Sequence, residues 1–227
     1  MKIQLLNFTQ NPEETVAQAA RLCYSDRGIG ELKKATVGDK SDRIIKKIME
    51  LGHYSVLEHV SFTFGIEGIS RVTSHQLVRH RIASFSQQSQ RYVKVGEKQE
   101  YIIPESIEKN KKELLLKFRK LSQACFSLYH EMLAEGILAE DARYILPQAI
   151  ITSIIFTANA RELTHFFRLR CCNRAQWEIR ELAISMLKLV KEIAPNIFKD
   201  AGPPCLTGPC PEGEMTCGRP WRKENDS

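Results

Sequence analysis

The sequence predicts an α+β fold: an antiparallel sheet packed with helices, plus a helical region. Val60, Phe62, Phe64 and Ile66 alternate with Ser61, Thr63, Gly65 and Glu67, the period of two expected of a half-buried strand. Lys2–Phe8 reads as a first strand, and Tyr92-Val93-Lys94-Val95 with Tyr101-Ile102-Ile103, joined through Gly96, reads as a hairpin. Elsewhere apolar residues recur at helical spacing.

The helices follow from local signals. Asn11-Pro12-Glu13-Glu14 predicts a helix start with an Asn cap, proline at the first position and a glutamate to close a capping box. Val16, Ala19, Ala20 and Cys23 form its inner stripe. Ser41 is expected to cap a second helix, with Ile44, Ile45, Ile48 and Met49 inward and Gly52 as its stop. Residues 70–80 read as helical. Beyond Pro104 a long helix carries Leu114, Phe118, Leu121, Cys125, Leu128 and Met132 at steps of four and three, a seam that suits packing within the chain or a subunit contact. Further helices are expected over about 139–159, 162–172 and 174–193.

Composition narrows the function classes. A chain of 227 residues with 43% hydrophobic and 26% charged residues suits one soluble domain with a real core. The catalytic domain is placed at 1–200. From Ala201 onward periodicity is lost, and five of the nine prolines lie there with Cys205, Cys210 and Cys217, so 201–227 reads as a tail. Its cysteines lack a paired C-x-x-C; an extension and a zinc site are the alternatives. No apolar run approaches a membrane span and the N-terminus does not resemble a signal peptide. Seven cysteines, an odd number, fit reduced thiols and a cytoplasmic location. A net charge of +6 suits an anionic small substrate better than nucleic acid.

The chemistry is concentrated in Arg79-His80-Arg81, seven further residues, then Ser89-Gln90-Arg91. These thirteen positions hold three arginines and no acid or lysine. Guanidinium forks fit phosphate and carboxylate oxygens and stay charged at any working pH. Ile82, Ala83 and Phe85 interleave the donors and belong against a protein wall. The segment, RHRIASFSQQSQR, resembles the R-H-R-x7-S-x-R signature of the flavin-dependent thymidylate synthases. Gly52-His53-Tyr54-Ser55, Glu58-His59, Ala142-Arg143, Leu146-Pro147, Asn159-Ala160-Arg161-Glu162, His165, Arg168-Leu169-Arg170 and Gln176-Trp177-Glu178 are similar to that family's other blocks, and the likeness covers about residues 1–198.

The resemblance implies a homotetramer with shared active sites, converting dUMP, methylenetetrahydrofolate and NADPH to dTMP, with FAD as the redox cofactor. It implies that dUMP is bound by Gln76, Arg79, Gln87, Gln88, Ser89, Gln90, Arg91, Arg170 and, from another subunit, Arg143. It assigns FAD to Ser55, Arg79, His80, Arg81, Gln87, Asn159, Arg161 and His165. No side chain transfers hydride, so a flavin fits the reaction; no G-x-G-x-x-G fingerprint is present, so its site is not of the Rossmann kind.

Arg170 is the expected catalytic residue. On a helix over 162–172 it shares a face with Leu163, Phe166 and Phe167, and an arginine there needs a partner. A salt bridge to Glu58 or Glu178 is one answer; the uracil imide, whose ionised form a guanidinium favours, is the one the resemblance implies. Ser89 is read as a positioning group, since a serine nucleophile needs an adjacent base. His53, Glu58 and His59 lack helical metal spacing, and no metal is expected. The rival class is a nucleic-acid-binding module using the arginines on phosphates and Phe85 and Tyr92 for stacking; another possibility is a flavoenzyme for a different pyrimidine nucleotide.

Overall fold

A computed structural model describes residues 1–96, 98, 100–109 and 111–221. Four strands, β1 (Lys2–Phe8), β2 (Ser61–Ser70), β3 (Ala83–Gln87) and β4 (Ile151–Asn159), pair in the order β1-β2-β4-β3. The ladders are antiparallel: Thr9 N donates to Ser61 O, and Ala160 N to Val60 O. Around them run α1 (Pro12–Leu22), α2 (Ile29–Ala35), α3 (Asp39–Glu50), α4 (Arg71–Leu77), α5 (Glu105–Glu108), α6 (Lys112–Ala134), α7 (Ala139–Ala142), α8 (Ala160–Arg170), α9 (Trp177–Ile193) and α10 (Pro195–Phe198), so the expected α+β class holds. Among the described residues no helix is long and apolar enough to cross a membrane.

The chain divides into two compact units. One comprises Met1–Lys2, Ile66–Val78 and Ser86–Ile154; the other Ile3–Gly65, Arg79–Phe85 and Ile155–Ser227. The second is built on aromatic contacts. Phe156 stacks on Phe85 at 5.2 Å and on Phe64 at 6.1 Å, and meets Phe166 of α8 at 6.0 Å. Phe167 and Phe62 both meet Phe198 edge-on. The buried residues of α8, Leu163, Phe166 and Phe167, are those the helical spacing selects. In the first unit Tyr129 and Phe126 are the buried anchors of α6; Tyr101 stacks on Phe126, and Tyr129 Oη accepts from Val95 N.

Several expectations are corrected. Of the helix expected over 139–159 only α7 and a 3-10 turn at Arg143–Ile145 form, and Ile151–Asn159 is strand β4: Ile151, Ile154 and Ile155 are β-branched, and burial alternates through Thr152, Ile154, Phe156 and Ala158. The expected hairpin does not form among the described residues. Residues 92–95 lie outside the strands and Tyr101 makes an isolated bridge to Ile150, while the strand of this region is β3, inside the arginine motif; residues 97 and 99 lie outside the described residues. Helix 70–80 shortens to Arg71–Leu77, capped by the Ser70 hydroxyl, which accepts from Thr73 N. The cap of α3 is Gly38, and Ser41 sits inside the helix with its hydroxyl donating to Gly38 O. Asn11 precedes α1 in a left-handed conformation and makes no side-chain cap; in the same turn the Glu13 carboxylate accepts from Asn196. Helix α2 was not anticipated. On α6 the buried line is Ser122, Phe126 and Tyr129, one residue round from the expected seam, which leaves Leu114, Leu121 and Leu128 exposed.

Phe156 is where three aromatic contacts meet. Phe156→Ala should therefore cost about 3–5 kcal/mol, read as a shift in the denaturation midpoint at fixed protein concentration.

Candidate active site

The second unit holds a buried polar chain. Asn159 caps α8, its Oδ1 accepting from Glu162 N at 2.9 Å. That places the Glu162 side chain in the first turn, where a carboxylate is favoured by the helix dipole. Glu162 Oε1 lies 2.9 Å from His80 Nδ1, and the side chains are 8% and 3% exposed. His80 Nε2 accepts from Arg170 Nε at 3.1 Å. Phe166 closes the imidazole edge-on at 4.9 Å and His165 lies 6.0 Å away.

Electrostatics follow from this burial. Desolvation holds His80 below its ordinary 6.5; Arg170 and His165 push the same way, and Glu162 opposes them. Burial also lowers Arg170 from the usual arginine value. Arg170 lines a cavity of about 450 Å³ together with Arg168, Arg174, Arg219, Cys172 and Cys205. Glu58, one expected partner of Arg170, is ion-paired with Arg161 instead.

Of the other predicted flavin residues, Ser55, Arg79, Arg81, Arg161 and His165 are exposed and Asn159 is half-buried. With its Oδ1 occupied by the cap, Asn159 still offers an amide N–H. Exposed guanidiniums with amide and imidazole donors suit a diphosphate and a heterocycle edge, so this donor set fits FAD. His80 is the exception, because both of its ring nitrogens are engaged within the protein.

The first unit carries the other half of the predicted set. Gln88, Ser89 and Gln90 line a cavity of about 180 Å³ with Lys94, Lys98 and Thr152. Ser89 Oγ accepts from Arg91 N at 3.2 Å, and no general base is among its hydrogen-bond partners in the described residues. Arg91 pairs with Glu140 and lies over the Tyr92 ring. Arg143 Nε donates to Glu140 O at 3.0 Å. Gln87 donates to Ser74 Oγ and Thr152 Oγ1, which fixes its amide. Gln76, on α4, is half-buried. Sequence reasoning missed Arg71: burial, and then Arg143, lower it from the usual arginine value, so the two like charges lie near each other. Its signal was available, since a cation directly after the Ser70 cap opposes the helix dipole. Glu162 was missed because a first-turn glutamate reads as a cap residue. Among the described residues no three His, Cys, Asp or Glu side chains converge on a metal position.

The sign of the pH effect is fixed by His80. Its folded value lies below 6.5, so between the two values the unfolded chain binds the extra proton. This contribution is complete above pH ~6.5 and is lost as pH falls toward the folded value. His80→Gln presents the same donor and acceptor without titrating; its stability, measured by denaturation between pH 7.5 and 5, should fall less steeply than that of the parent.

Comparison with known proteins identifies the family. A family model described as thymidylate synthase complementing protein matches residues 4–196. The flavin-dependent thymidylate synthase of Geobacter sulfurreducens is 59% identical over 220 residues, covering 96% of this chain and 94% of that protein. The flavin-dependent thymidylate synthases of Clostridium tetani, 50% identical over 96% of this chain and 94% of that protein, and of Pyrococcus furiosus, 46% identical over 95% and 91%, are similar as well. With the family model spanning most of its length and such relatives matched nearly end to end, this chain belongs to the thymidylate synthase complementing protein family.

Proposed function

We propose that this protein is a flavin-dependent thymidylate synthase that reductively methylates dUMP to dTMP, with methylenetetrahydrofolate as carbon donor and NADPH as reductant. The observation that carries the reading is Arg170, a half-buried guanidinium that lines a cavity and is hydrogen-bonded through Nε to a buried imidazole. Bound FAD, reduced by NADPH, would supply hydride.

The chain's own residues supply binding and electrostatics. Arg79, Arg81, Arg161, Asn159, His165 and Ser55 are the flavin-binding groups, joined by Gln87. Gln76, Gln88, Ser89, Gln90, Arg91 and Arg143, with Arg79 and Arg170, bind dUMP, and Arg71 adds a second cation beside Arg143. Arg170 favours the ionised uracil imide, raising electron density in the ring where the methylene group is received. Ser89 positions the nucleotide, and no protein nucleophile takes part.

A homotetramer with shared sites completes the reading. Its support is the exposed stripe Leu114, Leu121 and Leu128, spaced by seven residues along α6, which suits a helix from another subunit. The same reading places the protein in the cytoplasm, with residues 201–227 as a C-terminal tail.

The deciding experiment uses purified protein and dUMP tritiated at C5. Yellow protein that bleaches with NADPH and releases tritium in a folate-dependent way supports the proposal. Colourless protein that binds RNA with steep salt dependence contradicts it. Arg170→Lys should lower kcat more than it weakens dUMP binding; equal losses would leave it only a positioning role. Because Glu140 competes for Arg91, Glu140→Gln should lower KM for dUMP by about two- to fivefold, the range of an exposed ion pair. Leu121→Glu should reduce the molar mass found by light scattering; an unchanged mass removes α6 from the interface.

A further inference from the structure

We infer that Glu162 is a positioning residue for the reaction, fixing the orientation of Arg170 through a neutral His80. The inference rests on the role of Arg170 proposed above. Its basis is the donor and acceptor inventory of three side chains.

An arginine Nε carries a hydrogen and cannot accept one. Since Arg170 Nε lies 3.1 Å from His80 Nε2, that nitrogen must be the bare one. The imidazole hydrogen is then on Nδ1, where it donates to Glu162 Oε1 at 2.9 Å. Two contacts thus fix both tautomer and ring orientation. A protonated imidazole would set N–H against N–H and break this contact with Arg170 Nε. Without the carboxylate, the alternative tautomer or a flipped ring loses its penalty, and Arg170 Nε loses this acceptor.

The geometry of α8 explains why an intermediary is needed. Glu162 and Arg170 are eight residues apart, about 12 Å along the axis. The imidazole, supplied by the segment after α4, spans the interval. Burial excludes a water substitute: His80 is 5% exposed, and Phe166 covers the ring edge-on. Glu162 is itself fixed at its backbone by the Asn159 cap. The charged and titratable groups acting on the imidazole are Glu162, Arg170 and His165. Arg170 and His165 both act to lower the imidazole's affinity for a proton, and Glu162 opposes them.

The test compares Glu162→Gln and Glu162→Ala with the parent and with Arg170→Lys, all as full-length protein loaded with FAD. Glu162→Ala should keep its FAD content and bind dUMP within about threefold, yet lose roughly 100-fold in kcat, the scale expected when a reacting geometry is released. Glu162→Gln retains an acceptor for Nδ1–H and should lose much less. Its acid limb of kcat should move to lower pH, because the group that raises the His80 value has become neutral. Wild-type-like kcat in Glu162→Ala, or activity lost only in proportion to lost FAD, overturns the inference. If Glu162→Ala does not fold, the acid limb of Glu162→Gln decides: an unmoved limb overturns it. Failure of the underlying reading looks different, since Arg170→Lys would then turn over normally.

Discussion

Arg170 Nε, His80 and Glu162 form two hydrogen bonds in series, 3.1 and 2.9 Å long, inside an aromatic wall. A guanidinium is the hardest side chain to discharge, so a helix that presents one on its apolar face must answer the charge. One contact of Arg170 leads back to the same helix, relayed by an imidazole whose affinity for a proton burial lowers. The arrangement has a fold-level consequence. The arginine motif has to approach α8 closely enough for His80 to enter, and it does so on the edge of a core built from Phe64, Phe85, Phe156 and Phe166. Phe85, three residues beyond Ile82, is part of that anchor.

Histidine and arginine divide the labour of the motif. His80 turns inward and its ring nitrogens are engaged, whereas Arg79 and Arg81 on either side are exposed. One buried residue flanked by two exposed ones is a hinge-like use of three positions: the middle side chain fixes the backbone, and the outer guanidiniums are held where anions can reach them. In the other unit Glu140 meets two of the binding arginines differently: its carbonyl accepts from Arg143 and its carboxylate occupies Arg91 until an anion displaces it. His80, which looks like a binding residue in sequence, is thus a group engaged within the protein.

The sequence made the α+β class, strands β1 and β2, and helices α6, α8 and α9 legible; burial follows the strand period in β2 and the helical period in α8, while the inward face of α6 lies one residue round from the expected seam. It misled where tertiary context overrode local propensity. The stretch 139–159 contains Ala, Glu and Leu that favour helix, but its β-branched second half pairs between β2 and β3 as β4. β3 was hidden because Ser84, Ser86 and Gln87 have weak strand propensity and the motif chemistry dominated the reading. At the site, the arginines and serines were legible as residue types. Glu162 and Arg71 were not, since a glutamate in a first turn and an arginine after a serine cap both have ordinary local explanations, and only the fold reveals that one meets His80 and the other lies near Arg143.

The most direct measurement is the tautomer of His80, read from nitrogen and proton shifts of histidine-labelled protein, with His80→Gln to assign the signal. At neutral pH the account predicts a neutral ring with its hydrogen on Nδ1 and a bare Nε2. An imidazolium, or a hydrogen on Nε2, would contradict it.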